Sequence, residues 1–160
     1  MSRVVATYDW DYNGAARPAD KPYWDVRIGN WGLPWNYELE TVMSQKQKRG
    51  IVHLAWAEQP QTIDEVGSTY TIQGFDLSYV GVILGPSVKY RDGKIVFDPL
   101  CSKNDKATRN RTLSDNSKAR FGDVFIRNEV KVLMTRGVKG LYLYACDPAL
   151  QNALKTIAQL

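Results

Sequence analysis

Two short stretches carry the residues best suited to chemistry. In the first, Gln73, Gly74 and Asp76 interrupt an otherwise apolar segment, Asp64 to Gly85. An amide, a glycine backbone and a carboxylate in a turn between buried strands offer donors and acceptors to something outside the core. In the second, an amphipathic stretch ending Leu133-Met134 runs out into Thr135-Arg136 and then Gly137. A planar guanidinium can hold two oxygens of a phosphate group at once. An arginine at a helix C-terminus also answers the helix dipole and its last carbonyls, and residue type alone favours that structural role.

Other kinds of site find little support. His53 is the single histidine and lies in an apolar run, Ile51 to Trp56. That setting predicts a partly buried, hydrogen-bonded structural histidine rather than a catalytic base. Cys101 and Cys146 are far apart, with no C-x-x-C and no zinc-ligand spacing, so no metal site is expected. Neither the G-x-G-x-x-G dinucleotide fingerprint nor the G-x-x-x-x-G-K-[ST] phosphate loop occurs. No Asp-Glu pair follows an apolar strand.

The elements that must position these residues read as an α/β chain. Arg3 to Tyr8 predicts a strand, followed by a loop from Asp9 to Trp24 and a short strand from Trp24 to Ile28. Val66 to Thr71 alternates and is rich in β-formers, predicting a strand. Tyr79 to Leu84 is an apolar run suited to a strand covered on both faces of a parallel sheet. Gly50 to Trp56 reads as strand or extended chain, and Gln59 to Asp64 as a loop. Arg91-Asp92-Gly93 is a hairpin turn between Val88–Tyr90 and Lys94–Phe97. Cys101 to Arg120 is polar and basic and reads as a mobile loop with at most a helical fragment.

Phe121 to Met134 predicts a helix with Val124, Phe125, Val130, Leu133 and Met134 inward, and Gly137 and Gly140 as stop signals. Gly140 to Cys146 predicts a strand. Asp147-Pro148 opens a terminal helix as N-cap and first residue. Strands joined through helices suggest a largely parallel sheet with one hairpin added. Four of the five tryptophans fall at positions 10, 24, 31 and 35. Such a cluster can stack bases, but it more readily pins an irregular segment as a small second core.

At 160 residues the chain is expected to form a single domain. With 44% hydrophobic and 24% charged residues it is neither disordered nor membrane-embedded in character. No apolar run approaches the ~20 residues of a membrane helix, no signal-peptide core opens the chain, and the two cysteines suit a reducing cytoplasm. The net charge of +4 is compatible with a nucleic-acid partner without establishing one.

Taken together, the two stretches resemble motifs V and VI of superfamily-one helicases, at Ser68 to Gly85 and Val132 to Asp147. The fuller pattern resembles the Schlafen group 3-like DNA/RNA helicase family known from bacteria. It comprises Asp64 to Pro86, Tyr90 to Gly93, a variable basic loop, and Ile126 to Gly140. The resemblance implies a RecA-like second lobe, residues 1–160, of a two-lobe motor whose first lobe, with the phosphate loop and Mg²⁺ carboxylates, lies outside this chain. It implies Arg136 as the catalytic arginine finger on the γ-phosphate of ATP. Gln73, Gly74, Asp76 and Thr135 would be nucleotide-site residues, with Asp76 toward the ribose. Tyr70 stands where the motif commonly has His, and Asp76 where it has Glu. The partners implied are the first lobe and DNA or RNA, with ATP and Mg²⁺ bound only in the two-lobe protein. A non-catalytic nucleic-acid or protein binding module with degenerate motifs is the alternative, and a plain structural α/β domain a third.

Overall fold

The computed structural model describes residues 1–159. In chain order the strands and α-helices are β1 (Ser2–Ala6), β2 (Asp25–Ile28), β3 (Trp31–Pro34), α1 (Glu38–Thr41), α2 (Gln45–Ile51), β4 (Val66–Gly67) and α3 (Thr69–Ile72). There follow β5 (Leu77–Leu84), β6 (Val88–Arg91), β7 (Lys94–Phe97), α4 (Asp105–Thr108), β8 (Arg111–Thr112), β9 (Lys118–Ala119), α5 (Gly122–Met134), β10 (Gly137–Ala145) and α6 (Pro148–Ala158). Short 3₁₀ turns span Trp56–Glu58, Pro60–Asp64 and Pro99–Cys101.

The framework is a four-stranded parallel sheet in the order β10-β5-β1-β4. The chain runs from β1 to its neighbour β4, then crosses back over β1 to β5. Strand order therefore reverses beside β1, the position at which open parallel sheets bind ligands at their strand C-termini. One face of the sheet carries Val5, Val80, Val82 and Leu84 against Ile126 and Leu133 of α5 and Leu150 of α6. The other carries Ala6, Val66 and Ile83 against Val26 and Trp35, with Trp10 and Trp24 around them.

The tryptophans at 10, 24 and 35 thus build the small second core expected of them, while Trp31 is exposed on β3, a strand the sequence reading missed. The hairpin turn holds both Asp92 and Gly93 at positive φ, 51° and 78°, the geometry for which Asp-Gly is selected. The Asp147 side chain caps α6 by accepting from the Leu150 N–H at 3.0 Å.

Several expectations fail for identifiable reasons. Val66 to Thr71 is strand for only two residues. Ser68 then caps a one-turn helix: its hydroxyl accepts from the Tyr70 N–H, and Thr71 Oγ1 accepts from the Ser68 N–H at 2.8 Å. These local hydrogen bonds override the β-propensity of Thr-Tyr-Thr-Ile. Gly50 lies inside α2, which begins with a Ser44/Gln47 capping box, and His53 is exposed in the turn beyond it rather than held in a core. Gln59 to Asp64 is mostly 3₁₀ helix. Gly137 and Gly140 do not stop α5 but lie in β10, where the pairing with β5 shifts register between them. Tyr79 to Leu84 is covered on both faces only toward its end: Ile83 is 6% exposed and Tyr79 43%. Cys101 to Arg120 folds into α4 and the two-stranded ribbon β8–β9.

Candidate functional site

α5 runs antiparallel to the strands, and its end delivers Thr135-Arg136 to the edge where β5 and β10 begin. There the Leu77 N–H donates to the Arg136 carbonyl at 2.8 Å, so residues about sixty positions apart meet at one rim. Arg136 Nε donates to the Val132 carbonyl at 3.1 Å, the helix-terminal role that residue type favoured. Its Nη1 reaches outward over longer distances, to the Phe75 carbonyl at 3.5 Å and to Asp76 Oδ1 at 3.6 Å. The Arg136 side chain is 23% exposed and the Asp76 side chain 68%. A pair this long and this wet contributes little to stability.

Thr135 Oγ1 donates back to the carbonyls of Lys131 and Val132, and therefore serves the helix end. Gln73 and Gly74 are exposed; Gly74 has φ 78° and no atom within 4 Å of where a Cβ would stand. The predicted residues Gln73, Gly74, Asp76, Thr135 and Arg136 thus share one rim of the sheet. Arg136 and Asp76 touch directly, whereas Gln73 stands apart in a neighbouring groove with Val132.

The opposite rim, where the strands end, holds polar groups the sequence reading did not single out. The Asp9 carboxylate accepts from the Ser87 N–H at 2.9 Å and the Thr7 hydroxyl at 3.0 Å. Thr7 Oγ1 in turn accepts from the Gly85 N–H. Glu129, from the buried side of α5, accepts from the Tyr8 N–H at 3.1 Å. Burial and the neighbouring Asp9 push its carboxyl up to about 8, against the pull of the Tyr8 and Thr69 hydrogen bonds. Burial also raises Asp9. The periodicity of α5 had set Phe125 inward, but Ile126 and Glu129 take that face and Phe125 is exposed. A glutamate at a core position of a helix was the visible signal.

Among the described residues no cluster of three His, Cys, Asp or Glu could hold a metal ion, and no helix is long and apolar enough to cross a membrane.

The described residues thus form an α/β domain, a parallel sheet flanked by helices with Gln73-Gly74 and Thr135-Arg136 on one rim. Residues 1–147 match the family "Schlafen group 3, DNA/RNA helicase domain", and the chain belongs to that family. It is also similar to a Saccharomyces cerevisiae protein, "Uncharacterized protein YPL245W", with 36% identity over 154 residues. That match covers 95% of this chain and 31% of the yeast protein, so the chain spans about a third of that relative's length. No solved structure matches significantly.

Proposed function

We propose that this chain is a RecA-like lobe of a nucleic-acid-dependent ATPase, and that it supplies Arg136 to a nucleotide site completed by a second lobe. The observation that carries the reading is the meeting of Arg136 with the Gln73–Asp76 turn at one rim, its outward nitrogen held only by contacts of 3.5 and 3.6 Å. A guanidinium anchored through Nε to Val132 and loosely held through Nη1 suits a phosphate. The anchor fixes the fork, and the weak partner is readily displaced by an anion carrying more charge. Bound ATP would supply the transferable phosphoryl group, with Mg²⁺ held by the other lobe.

On this side Arg136 stabilises the negative charge spread over the transferring oxygens. Asp76, released from Arg136, is free to accept from a ribose hydroxyl. Gly74 at positive φ lets the turn come close to a nucleotide with no side chain in the way. Thr135 keeps the last turn of α5 closed, and Gln73 links this rim to the groove beside α5. The chain has no phosphate loop of its own and hydrolyses ATP only with that second lobe.

The test is steady-state ATPase activity of the two-lobe protein with and without Arg136→Ala. A fall of about 10³-fold is expected for loss of an arginine finger. An unchanged rate overturns the proposal.

A further inference from the structure

The two outer strands of the sheet are unequal. β4 is two residues long and meets Trp35 on its free side. β10 is nine residues long, and among the described residues no strand pairs with its outer side. Soluble proteins guard such an edge with charge, proline or distortion. Here Lys139 and the register shift between Gly137 and Gly140 guard only its start. From Gly140 the strand reads Gly-Leu-Tyr-Leu-Tyr-Ala, with neither charge nor proline.

The backbone shows which groups are free. The Cys146 N–H donates inward to the Leu84 carbonyl at the end of β5, at 2.8 Å. The Ala145 N–H turns outward and donates to Gln151 Oε1 at 2.7 Å. Alternate residues of a strand direct their N–H and C=O groups to the same side. Leu141 and Leu143 therefore direct theirs outward with Ala145, and Gln151 closes this open row at Ala145.

The side chains are equally open. Val80, Val82 and Leu143 face the core under α5 and α6, so Tyr79, Tyr142 and Tyr144 stand on the other face of the sheet. They are 43%, 67% and 42% exposed, and the Tyr79 and Tyr142 ring centroids lie 6.5 Å apart. Tyr142 and Tyr144 border an apolar cleft of about 420 Å³ with Trp31. Parallel sheets are normally covered on both faces.

We infer that β10 is the interface of a homodimer, in which two copies pair antiparallel about a two-fold axis at Tyr142 and form one eight-stranded sheet. In this register Leu141 lies opposite the partner's Leu143, and the two exchange their free N–H and C=O groups. Tyr142 meets its own copy. Tyr144 lies opposite the partner's Gly140, where the missing side chain already makes room for Tyr79. Lys139 falls opposite Ala145, and the two lysines stay about 20 Å apart, six residues along the strand.

Other registers fail. A slip of one residue sets outward groups against inward ones. A slip of two in one direction needs the Ala145 N–H that Gln151 holds; in the other it runs into the irregularity at Gly137 and Gly140. The contact is isologous, so it consumes each copy's long edge and stops at two. Arg136 precedes β10, so the two nucleotide rims lie at opposite ends of the joined strands, away from the axis. The dimer does not depend on the proposed ATPase reading.

Sedimentation velocity of the 160-residue chain over about 1 to 100 µM tests this. A concentration-dependent dimer and nothing larger is expected. Tyr142→Lys, which sets two cations face to face on the axis, weakens it at least about 10-fold, and Tyr142→Phe leaves it intact. Mild oxidation cross-links Tyr142→Cys, because directly opposed residues bring their Cβ atoms within about 5 Å. Lys139→Cys, about 20 Å from its copy, and the parent chain with its native Cys101 and Cys146 do not cross-link. Arg136→Ala leaves the dimer unchanged, which separates this interface from the nucleotide rim. A monomer across the whole range, a dimer indifferent to Tyr142→Lys, cross-linking of Lys139→Cys or the parent as readily as Tyr142→Cys, or open-ended assembly overturns the inference. Thermal melts accompany each variant. Should Tyr142→Lys fail to fold, the Tyr142→Cys cross-link carries the decision.

Discussion

At the rim where the strands end, Thr7, Asp9, Ser87 and Glu129 are buried and joined by hydrogen bonds of 2.9 to 3.1 Å. At the rim where β5 and β10 begin, Gln73, Gly74 and Asp76 are exposed, and the Arg136–Asp76 contact is 3.6 Å. Both rims are polar, and both belong to the same sheet. One commits its polar groups to the fold, even leaving Asp9 Oδ1 and Ser87 Oγ buried without a hydrogen-bond partner; the other keeps its polar groups exposed. A partly satisfied, wet cation costs little to redirect, whereas a buried carboxylate network is costly to disturb. Substitutions at the two rims should therefore separate stability from activity.

The largest stability effect belongs to Asp147, just past the end of β10. Its carboxylate caps α6 and takes a bidentate pair from Arg91 at 2.8 and 3.0 Å. Arg91 and the cap hold its carboxyl down at about 2. Asp147→Ala should lower the unfolding free energy by about 2–3 kcal/mol, read from urea titration. A loss below about 1 kcal/mol would erase the contrast between the rims.

The next effect is one of pH. Glu129 titrates near 4.5 when unfolded and at about 8 when folded. A folded value above the unfolded one means that the native state binds the extra proton. Stability is full below about pH 4.5 and falls as pH rises toward 8. Asp9, raised by burial, acts in the same direction. Glu129→Gln should flatten the slope of urea midpoints measured across that window. A wild-type slope of zero would show that Glu129 is not held protonated.

The smallest effect sharpens the comparison from the other side. Arg136→Ala should change stability by less than about 1 kcal/mol, even though the same change is expected to abolish most ATPase activity. A loss of several kcal/mol would make Arg136 a structural residue and merge the two rims.

Local signals explain which parts of this architecture could be read from the chain. Asp92-Gly93 demanded positive φ, Asp147-Pro148 announced a helix, and the Thr-Arg after an amphipathic run marked its own end. The family pattern linked Gln73 to Arg136, although spacing alone could not show that they share a rim. The misses were tertiary or masked. The Thr-Tyr-Thr-Ile run of α3 looks like strand until Ser68 and Thr71 cap one another. Phe125 counts as core by hydropathy, but Glu129 was carried inward to the end of β1, and the helix is turned accordingly. The Cys101 to Arg120 segment lacks the apolar content of a folded element, yet α4 docks against α5 and builds one wall of the groove. A wall made of Asn104, Lys106 and Arg111 leaves no hydrophobic trace in sequence.

β10 has one further consequence. It is an outermost strand of the sheet, nine residues long, with Tyr142 at 67% and Tyr144 at 42% exposure. A long, apolar, open edge of this kind is a template on which another chain could add a strand. Two features blunt it: Lys139 near its start, and the register shift between Gly137 and Gly140 that breaks its regularity. The glycines that failed as helix stops thus break the even pairing of β10 near its start, the kind of irregularity that makes an edge strand a poorer template.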